Sequence, residues 1–351
     1  MTPLLYSLHS GNLYGTERMA LATAIGLRDQ YEVTFVAPAG PVHREADLLG
    51  FKTLLFESPT QYFAALRPYF AKHKQVAAIG TRVLHTIVCE AWARLYGRYC
   101  ANIQVVHGGA DERLSYGRKR WLNCLGAKQV AVSNYVKERM TVHGSGKDRI
   151  TVIENFLSPD RVDGAVQRAP FTDRGVRRVA IISRLDPIKR IDLLLDALDL
   201  DRSLRSIDFD IYGSGSDEAV LREKALRSHL NVHFHGFRSD VAERVSKADL
   251  LLHLCPEEPF GLAILEAMAA RLVVLVPNAG GAGAIVEDNV NGFHFTANDA
   301  SALAAKLHLI SQAPAEQLRE VVAGGLRSLE GRFSAAHGVA QYRKLIAECF
   351  Q

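Results

Sequence analysis

The sequence predicts an α/β protein with two doubly wound parallel sheets, and three observations carry that expectation. Short β-rich runs alternate with helical stretches along most of the chain, the pattern of βαβ units. The alternation breaks once, over 158–178, where "SPDRVDGAVQRAPFTDRGVRR" is polar, holds Pro and Gly and shows no apolar period. The length, 351 residues, exceeds what one hydrophobic core usually organises.

Taken in order, "PLLYSLHS" reads as a strand running into the loop "GNLYG", with the helix "ERMALATAIGLRDQ" behind it. "YEVTFVAP", "FKTLLFE", "QVAAIG", "NIQVVHG" and "AKQVAVS" continue the strands of the first half, each followed by a polar or helical stretch. After the break the alternation restarts with strand "RVAIISRL", helix "RIDLLLDAL", strand "SIDFDIYGSG", helix "DEAVLREKALRSH" and strand "NVHFHGF". Helix "DVAERVSKA", strand "DLLLHLC", helix "LAILEAMA", strand "LVVLVPN" and the ending "NGFHF" follow, and "FSAAHGVAQYRKLIAECFQ" closes the chain as a helix. The expected division is a Rossmann-like domain over 1–160, a linker over 161–176, a second Rossmann-like domain over 177–332 and a closing helix over 333–351.

Composition narrows the class. Apolar residues at 48% and charged residues at 23% are ordinary for a soluble globular protein. Residues 1–160 carry 19 Lys and Arg against 13 Asp and Glu, the remainder 23 against 25, so the positive charge lies in the first half and suggests an anionic partner there. The five cysteines are scattered without ligand spacing, which predicts neither disulfides nor a zinc site and fits a reducing cytoplasm. No signal peptide and no membrane-spanning run is expected.

In open parallel sheets, ligands bind beyond the C-terminal strand ends. Candidate residues fall at such places: Gly15 after the first strand, His107 at the end of "NIQVVHGG", Arg184 after "RVAIISRL" with Lys189 close behind, Gly213 and Gly215 after "DFDIY", Gly236 after "NVHFH", Glu258 after "LLLHLC", and Gly280 with Gly281 after "LVVLVPN". Glu258 stands before an apolar helix whose dipole favours a carboxylate. Glu266 lies two turns further along, inside the apolar stretch, where a carboxylate needs a polar partner or ligand. The loop "HSGNLYGTE" does not match the dinucleotide fingerprint, no Walker A pattern occurs, and "GSGSD" is out of register for a serine-hydrolase elbow.

"CPEEPFGLAILEAMA" resembles the E-x7-E signature of retaining GT-B glycosyltransferases of family 4, with Glu258 and Glu266 as its carboxylates. The likeness extends in order through "YGTERMALATA", "VHGG", "AVSNYVKERM", "VIENFLSPDRV", "SRLDPIKRIDLLLDAL", "IYGSGSDEAVLREKA", "VHFHGF" and "KADLLLHLC". This resemblance implies two domains facing across a cleft, with the closing helix returning to the first. It implies transfer of a sugar, with retention, from a UDP- or GDP-sugar to a glycan, lipid-linked or small-molecule acceptor. Glu266 would accept from the ribose hydroxyls and Glu258 from the transferred sugar. Backbone at Phe260, Gly261 and Leu262 would face the diphosphate and sugar, with Arg184 and Lys189 neutralising the leaving diphosphate in place of a metal. Gly213 belongs to the same donor-binding set, and Gly236 with Phe237 would receive the base. His107 would stand beside the sugar, and Gly15 would admit the phosphate.

Several residues depart from the family pattern: Arg190 and Arg271 stand for Gly, Ala284 for Glu, Leu254 and Cys255 for Pro-Ser, Tyr14 for Gly and Phe156 for Gly. No cofactor, metal site or nucleic-acid partner is expected, the nucleotide-sugar being the donor substrate. A nucleotide-sugar epimerase, or a binding protein without turnover on the same fold, is the alternative. The expected location is the cytoplasm, with peripheral contact to the inner face of an anionic membrane. That contact would run through the aromatic and basic segments 62–74 and 114–125, with Arg118, Lys119, Arg120 and Trp121 foremost.

Overall fold

The computed structural model describes residues 1–109, 112–172, 175–238 and 240–350, the side chains of residues 112 and 113 excepted. It divides into two compact units, one of Met1–Phe156 with Ala335–Gln351, the other of Leu157–Ser334.

The first unit is a parallel seven-stranded sheet. Its strands are β1 (Thr2–Ser7), β2 (Tyr31–Ala37), β3 (Lys52–Leu55), β4 (Gln75–Gly80), β5 (Tyr99–Val106), β6 (Lys128–Ala131) and β7 (Ile150–Val152). They lie in the order β3-β2-β1-β4-β5-β6-β7, with Leu4 opposite both Val33 and Ala77. The order reverses between β1 and β4, the doubly wound arrangement. Because helices cover both faces, the central strands are buried on both sides, and Pro3 to Ser7 are buried without alternation.

Helix Pro59–Lys72 lays Tyr62, Leu66 and Phe70 into the core, four residues apart on one face, beside Val88, Cys89 and Trp92 of helix Val83–Tyr96. The Tyr62 hydroxyl donates to Ser7 Oγ at 2.8 Å. Segment 62–74 therefore turns Tyr62, Leu66 and Phe70 inward and leaves Phe63, Arg67, Lys72 and Lys74 at the surface. Lys119 is turned inward as well, 7% exposed. Of the four residues assigned to membrane contact, only Arg118, Arg120 and Trp121 are exposed, with the Arg120 guanidinium 5.1 Å from the Trp121 ring.

The closing helix Ala335–Glu348 belongs to this unit. Arg343 donates to Gly26 O at 2.6 Å and pairs with Asp29 at 2.7 Å. A Cβ on Gly338 would overlap the Phe156 ring, so the Phe that departs from the family pattern is accommodated by a glycine on the closing helix.

The second unit is a parallel six-stranded sheet of β8 (Arg178–Ile182), β9 (Asp208–Tyr212), β10 (Val232–Gly236), β11 (Leu250–Leu252), β12 (Val273–Pro277) and β13 (Phe293–Phe295). The order is β10-β9-β8-β11-β12-β13, so the reversal falls between β8 and β11. Alternate residues Val179, Ile181, Phe209, Ile211, Leu250, Leu252, Val273 and Leu275 form one buried face, covered by Leu194, Leu198, Leu303 and Leu307.

The stretch expected as a linker is part of this unit. Helix Pro159–Asp163 packs on helix Leu262–Ala269, and Arg168 donates to Ala270 O at 2.9 Å and to Asp249 Oδ1 at 3.0 Å. Phe171 and Val176 are buried in its core. Polar composition concealed this packing, because only scattered residues of the stretch carry it. Among the described residues no helix is long and apolar enough to cross a membrane.

Candidate active site

The reversal between β8 and β11 sends the loops behind these two strands to opposite sides and opens a crevice at their C-terminal ends. One loop carries Arg184 and Lys189, the other His253 and Glu258. Lys189 Nζ donates to Glu258 Oε2 at 2.7 Å and ties the two loops together. Both side chains are under a fifth exposed.

Burial by itself would lower the Lys189 pKa, but the Glu258 charge outweighs it and the ammonium is held above 10.5. Burial would likewise raise Glu258, but the Lys189 ammonium, joined at low pH by a protonated His253, outweighs it and holds the carboxylate below 4.5. The pair is therefore ionic. His253 Nε2 lies 3.6 Å from Glu258 Oε2, beyond hydrogen-bond reach. Burial pushes His253 down to about 4, against the pull of Glu258, so the imidazole is neutral at pH 7. Arg184 pairs with Asp186 at 3.0 Å but leaves 69% of its side chain exposed, a cation available to a ligand.

Glycines hold these loops at distances no side chain would allow. Gly213 has φ of 138°, and a Cβ there would overlap the Ser183 carbonyl oxygen, so the chain behind β9 lies directly on the chain behind β8. Ser183 N donates to Tyr212 O at 3.1 Å and Leu185 N to Ser214 O at 3.0 Å, closing the two turns as one structure. A Cβ on Gly281 would overlap Pro259 O, and Gly281 N donates to Glu258 O at 2.7 Å. The Glu258 loop is thus supported through backbone, without the Glu that Ala284 replaces in the family pattern.

Gly261 takes φ of 108° and starts helix Leu262–Ala269. Among the described residues, the backbone N–H groups of Phe260, Gly261 and Leu262 make no backbone hydrogen bond. They are the open donors of a helix N-terminus, with the dipole behind them. The Phe260 ring is buried edge-on against Phe333, 6.0 Å between centroids, which fixes the turn. At the end of β10, Gly236 has φ of 68° with open space around it, and Phe237 beside it is 80% exposed.

Glu266 meets the polar partner its position demands. Arg161 lies 2.8 Å from Glu266 Oε1, and about a third of each side chain is exposed. Burial raises the Glu266 pKa and Arg161 only partly opposes it. Spacing could not have revealed Arg161, which sits in the stretch read as a linker. His253 was legible only as a polar residue inside "LLLHLC".

Arg184, Lys189, Gly213, Gly236, Phe237, Glu258, Phe260, Gly261, Leu262 and Glu266 all belong to the second unit. Gly15 and His107 belong to the first. Gly15 is the exposed first residue of helix Gly15–Leu27, with no positive φ. The close-packed glycine of that loop is Gly11, whose Cβ would overlap Ala39 O. His107 follows β5 with Nε2 buried and without a hydrogen-bond partner among the described residues. Burial, helped by His9, lowers its pKa to about 3, so it is neutral.

Comparison with known proteins places the chain among the glycosyltransferases. Residues 167–323 match the model described as glycosyl transferases group 1, and residues 14–161 the model of glycosyltransferase family 4. A poly(ribitol-phosphate) alpha-N-acetylglucosaminyltransferase of Staphylococcus aureus is 28% identical over 164 residues, 46% of this chain and 32% of that protein. A glycogen synthase of Mycobacterium tuberculosis is 27% identical over 225 residues, 62% of this chain and 54% of that protein. The matches thus span about a third to a half of these relatives' length. The crystal structure of HepE from Anabaena in complex with UDP superposes with a TM-score of 0.80 at 20% identity, covering 99% of this chain and 100% of that one. That likeness shows the fold.

Proposed function

We propose that this chain, a GT-B glycosyltransferase by its fold and its two family domains, moves a sugar from a nucleoside diphosphate donor to an acceptor with retention of configuration. The observation that carries the reading is the Lys189–Glu258 ion pair across the β8–β11 crevice, with the exposed Arg184 beside it. As the glycosidic bond of the donor breaks, negative charge grows on the leaving diphosphate. Arg184, Lys189 and the N–H groups of Phe260, Gly261 and Leu262 are preorganised cations and dipoles that stabilise that charge. Glu258, kept ionised, accepts from hydroxyls of the transferred sugar. Glu266 has one oxygen beyond its contact with Arg161 to accept from a ribose, and the exposed Phe237 offers a face for the base. UDP- and GDP-sugars are the donors to test first, with no metal in the mechanism.

The acceptor is a glycan, a lipid-linked sugar or a small molecule, recognised by the first unit. The alternative, a nucleotide-sugar epimerase or a binding protein without turnover, would leave donor and water unchanged except at one carbon, or entirely. The test is proton NMR of the chain with each nucleotide-sugar and a panel of acceptors, with and without EDTA. The expected result is free nucleoside diphosphate and a product of the donor's anomeric configuration, unaffected by EDTA. Inversion, or loss of transfer restored only by magnesium, contradicts the mechanism; epimer formation without diphosphate release establishes the alternative.

A further inference from the structure

We propose that the second unit binds a small organic carboxylate, a molecule with an apolar body and one acid group, in a cavity at the ends of its strands opposite the crevice. The site stands whether or not the chain transfers sugar.

The cavity has a volume of about 280 Å³ and is lined by Arg168, Arg271 and Arg319 together with apolar side chains. It lies where the strands begin, whereas the crevice lies where they end. Arg168 holds Asp249, which immediately precedes β11, and Arg271 stands just before β12.

Three contacts build its frame. Arg168 N donates to Ala270 O at 2.9 Å, which joins the segment around Arg168 to the turn that carries Arg271. The Arg168 guanidinium lies over the Phe171 ring, 3.6 Å from its centroid, and donates to Asp249 Oδ1 at 3.0 Å. Arg319 Nη1 donates to Phe171 O at 2.8 Å, so Phe171 is held through both its ring and its carbonyl. One wall is a face of helix Ala315–Glu330, where Arg319, Val322, Ala323 and Leu326 recur at the three- and four-residue spacing that aligns side chains. Apolar walls with a few placed polar groups are the make-up of a small-molecule site.

Arg271 is the residue that speaks for a ligand. Its φ of 61° lies in the left-handed region, which is costly for any residue with a Cβ, and it stands where the family pattern has Gly. A cation at a helix C-terminus gains from the dipole, but an Arg one turn earlier would gain as much without the strain. Arg190, also left-handed, spends its guanidinium on Asp192 and Asn298. Arg271 instead keeps Nε buried without a hydrogen-bond partner. Backbone strain and an unused buried donor on one residue of a cavity wall are features that persist where a ligand is clamped. The planar guanidiniums of Arg271 and Arg319 match a carboxylate, with Phe171, Val322, Ala323 and Leu326 around its apolar body. Arg168, committed to Asp249, holds the frame.

The test uses the full chain saturated with UDP or GDP, and in parallel the Arg184→Ala variant, so that an anion is not read in the crevice. Phenylacetate and hexanoate are titrated by ligand-observed NMR, beside the neutral phenylethanol and hexanol and beside inorganic phosphate. The carboxylates are expected to compete with each other and to bind about tenfold more tightly than their alcohols, the value of a charge-assisted hydrogen bond. Arg271→Gly is expected to remove that advantage while raising the melting temperature of the free protein, which separates lost binding from lost folding. Arg319→Gln should weaken the carboxylates in the same direction, and Ala323→Phe, which fills the cavity and keeps every Arg, should exclude them. Absence of carboxylate binding at millimolar concentration, equal binding of the alcohols, or binding that survives both Arg271→Gly and Ala323→Phe overturns the site. Phosphate binding as tightly as the carboxylates would also overturn it, since the apolar body would then contribute nothing.

Discussion

Lys189 shows what one side chain does in this structure. Its ammonium is the bond between two loops, and its removal leaves Glu258 less than a fifth exposed and without its cation. Lys189→Ala is expected to lower stability by about 2–3 kcal/mol near neutral pH, between the values for exposed and fully buried pairs. The pH dependence has a definite sign. Glu258 is depressed below 4.5, so its contribution is present above that pH and is lost as pH falls through its folded value. Lys189 is raised above 10.5, so its contribution is present below that pH and is lost as pH rises through its folded value. The difference between wild type and Lys189→Ala in urea unfolding should therefore be full at pH 7 and shrink at pH 3.5. An equal difference at both pH values would show that the pair is not what Lys189 supplies. The residues of this pair were legible in the sequence as strand-end polar groups. Their mutual contact was not, because 69 positions separate them and only the closure of β8 beside β11 brings them together.

Helix Leu262–Ala269 carries the same lesson for an element. Its start was readable from the apolar run, and its end is a turn in which Leu272 N donates to Ala267 O and Arg271 N to Met268 O, each at 3.0 Å. Such an ending places the residue after the cap in the left-handed region, where glycine is favoured. Arg271 occupies it with φ of 61°, and Arg190, the other Arg standing for Gly, has φ of 54°. Both Arg residues that stand for Gly thus keep the glycine conformation and accept its strain. Arg190 offsets some of this by pairing with Asp192 at 3.2 Å and with Asn298. Arg271 has its Nε buried without a partner. Arg271→Gly should then stabilise the protein by about 1 kcal/mol, a rise of roughly 2–4 °C in melting temperature. A fall would mean that the Arg271 stem contributes more packing than the strain removes. Elements that no alternation required were the ones left unread: the three-residue β7, and helices Ala300–Ser311 and Ala315–Glu330, which follow the last strand.

At the scale of the molecule, two sheets of the same winding each reverse order once, and the reversal in the second gathers Arg184, Lys189 and Glu258. The sequence makes the two sheets visible through short, largely apolar strands that alternate with helices. It hides the inward turn of Lys119, since "GRKRW" has the composition of a solvated surface. The central claim is that the second unit binds a nucleoside diphosphate through the loops behind β8, β10 and β11. Hydrogen–deuterium exchange of the full chain with and without UDP or GDP, set beside Glu266→Gln, tests it most directly. Protection is expected at 183–190, at Gly236 and Phe237 and at 258–266. The N–H groups of Phe260, Gly261 and Leu262 should slow most, and Glu266→Gln should shift the response to about tenfold higher nucleotide, the value of a charge-assisted hydrogen bond. Unchanged exchange in these three segments at millimolar UDP and GDP, or protection only elsewhere in the chain, would contradict the claim.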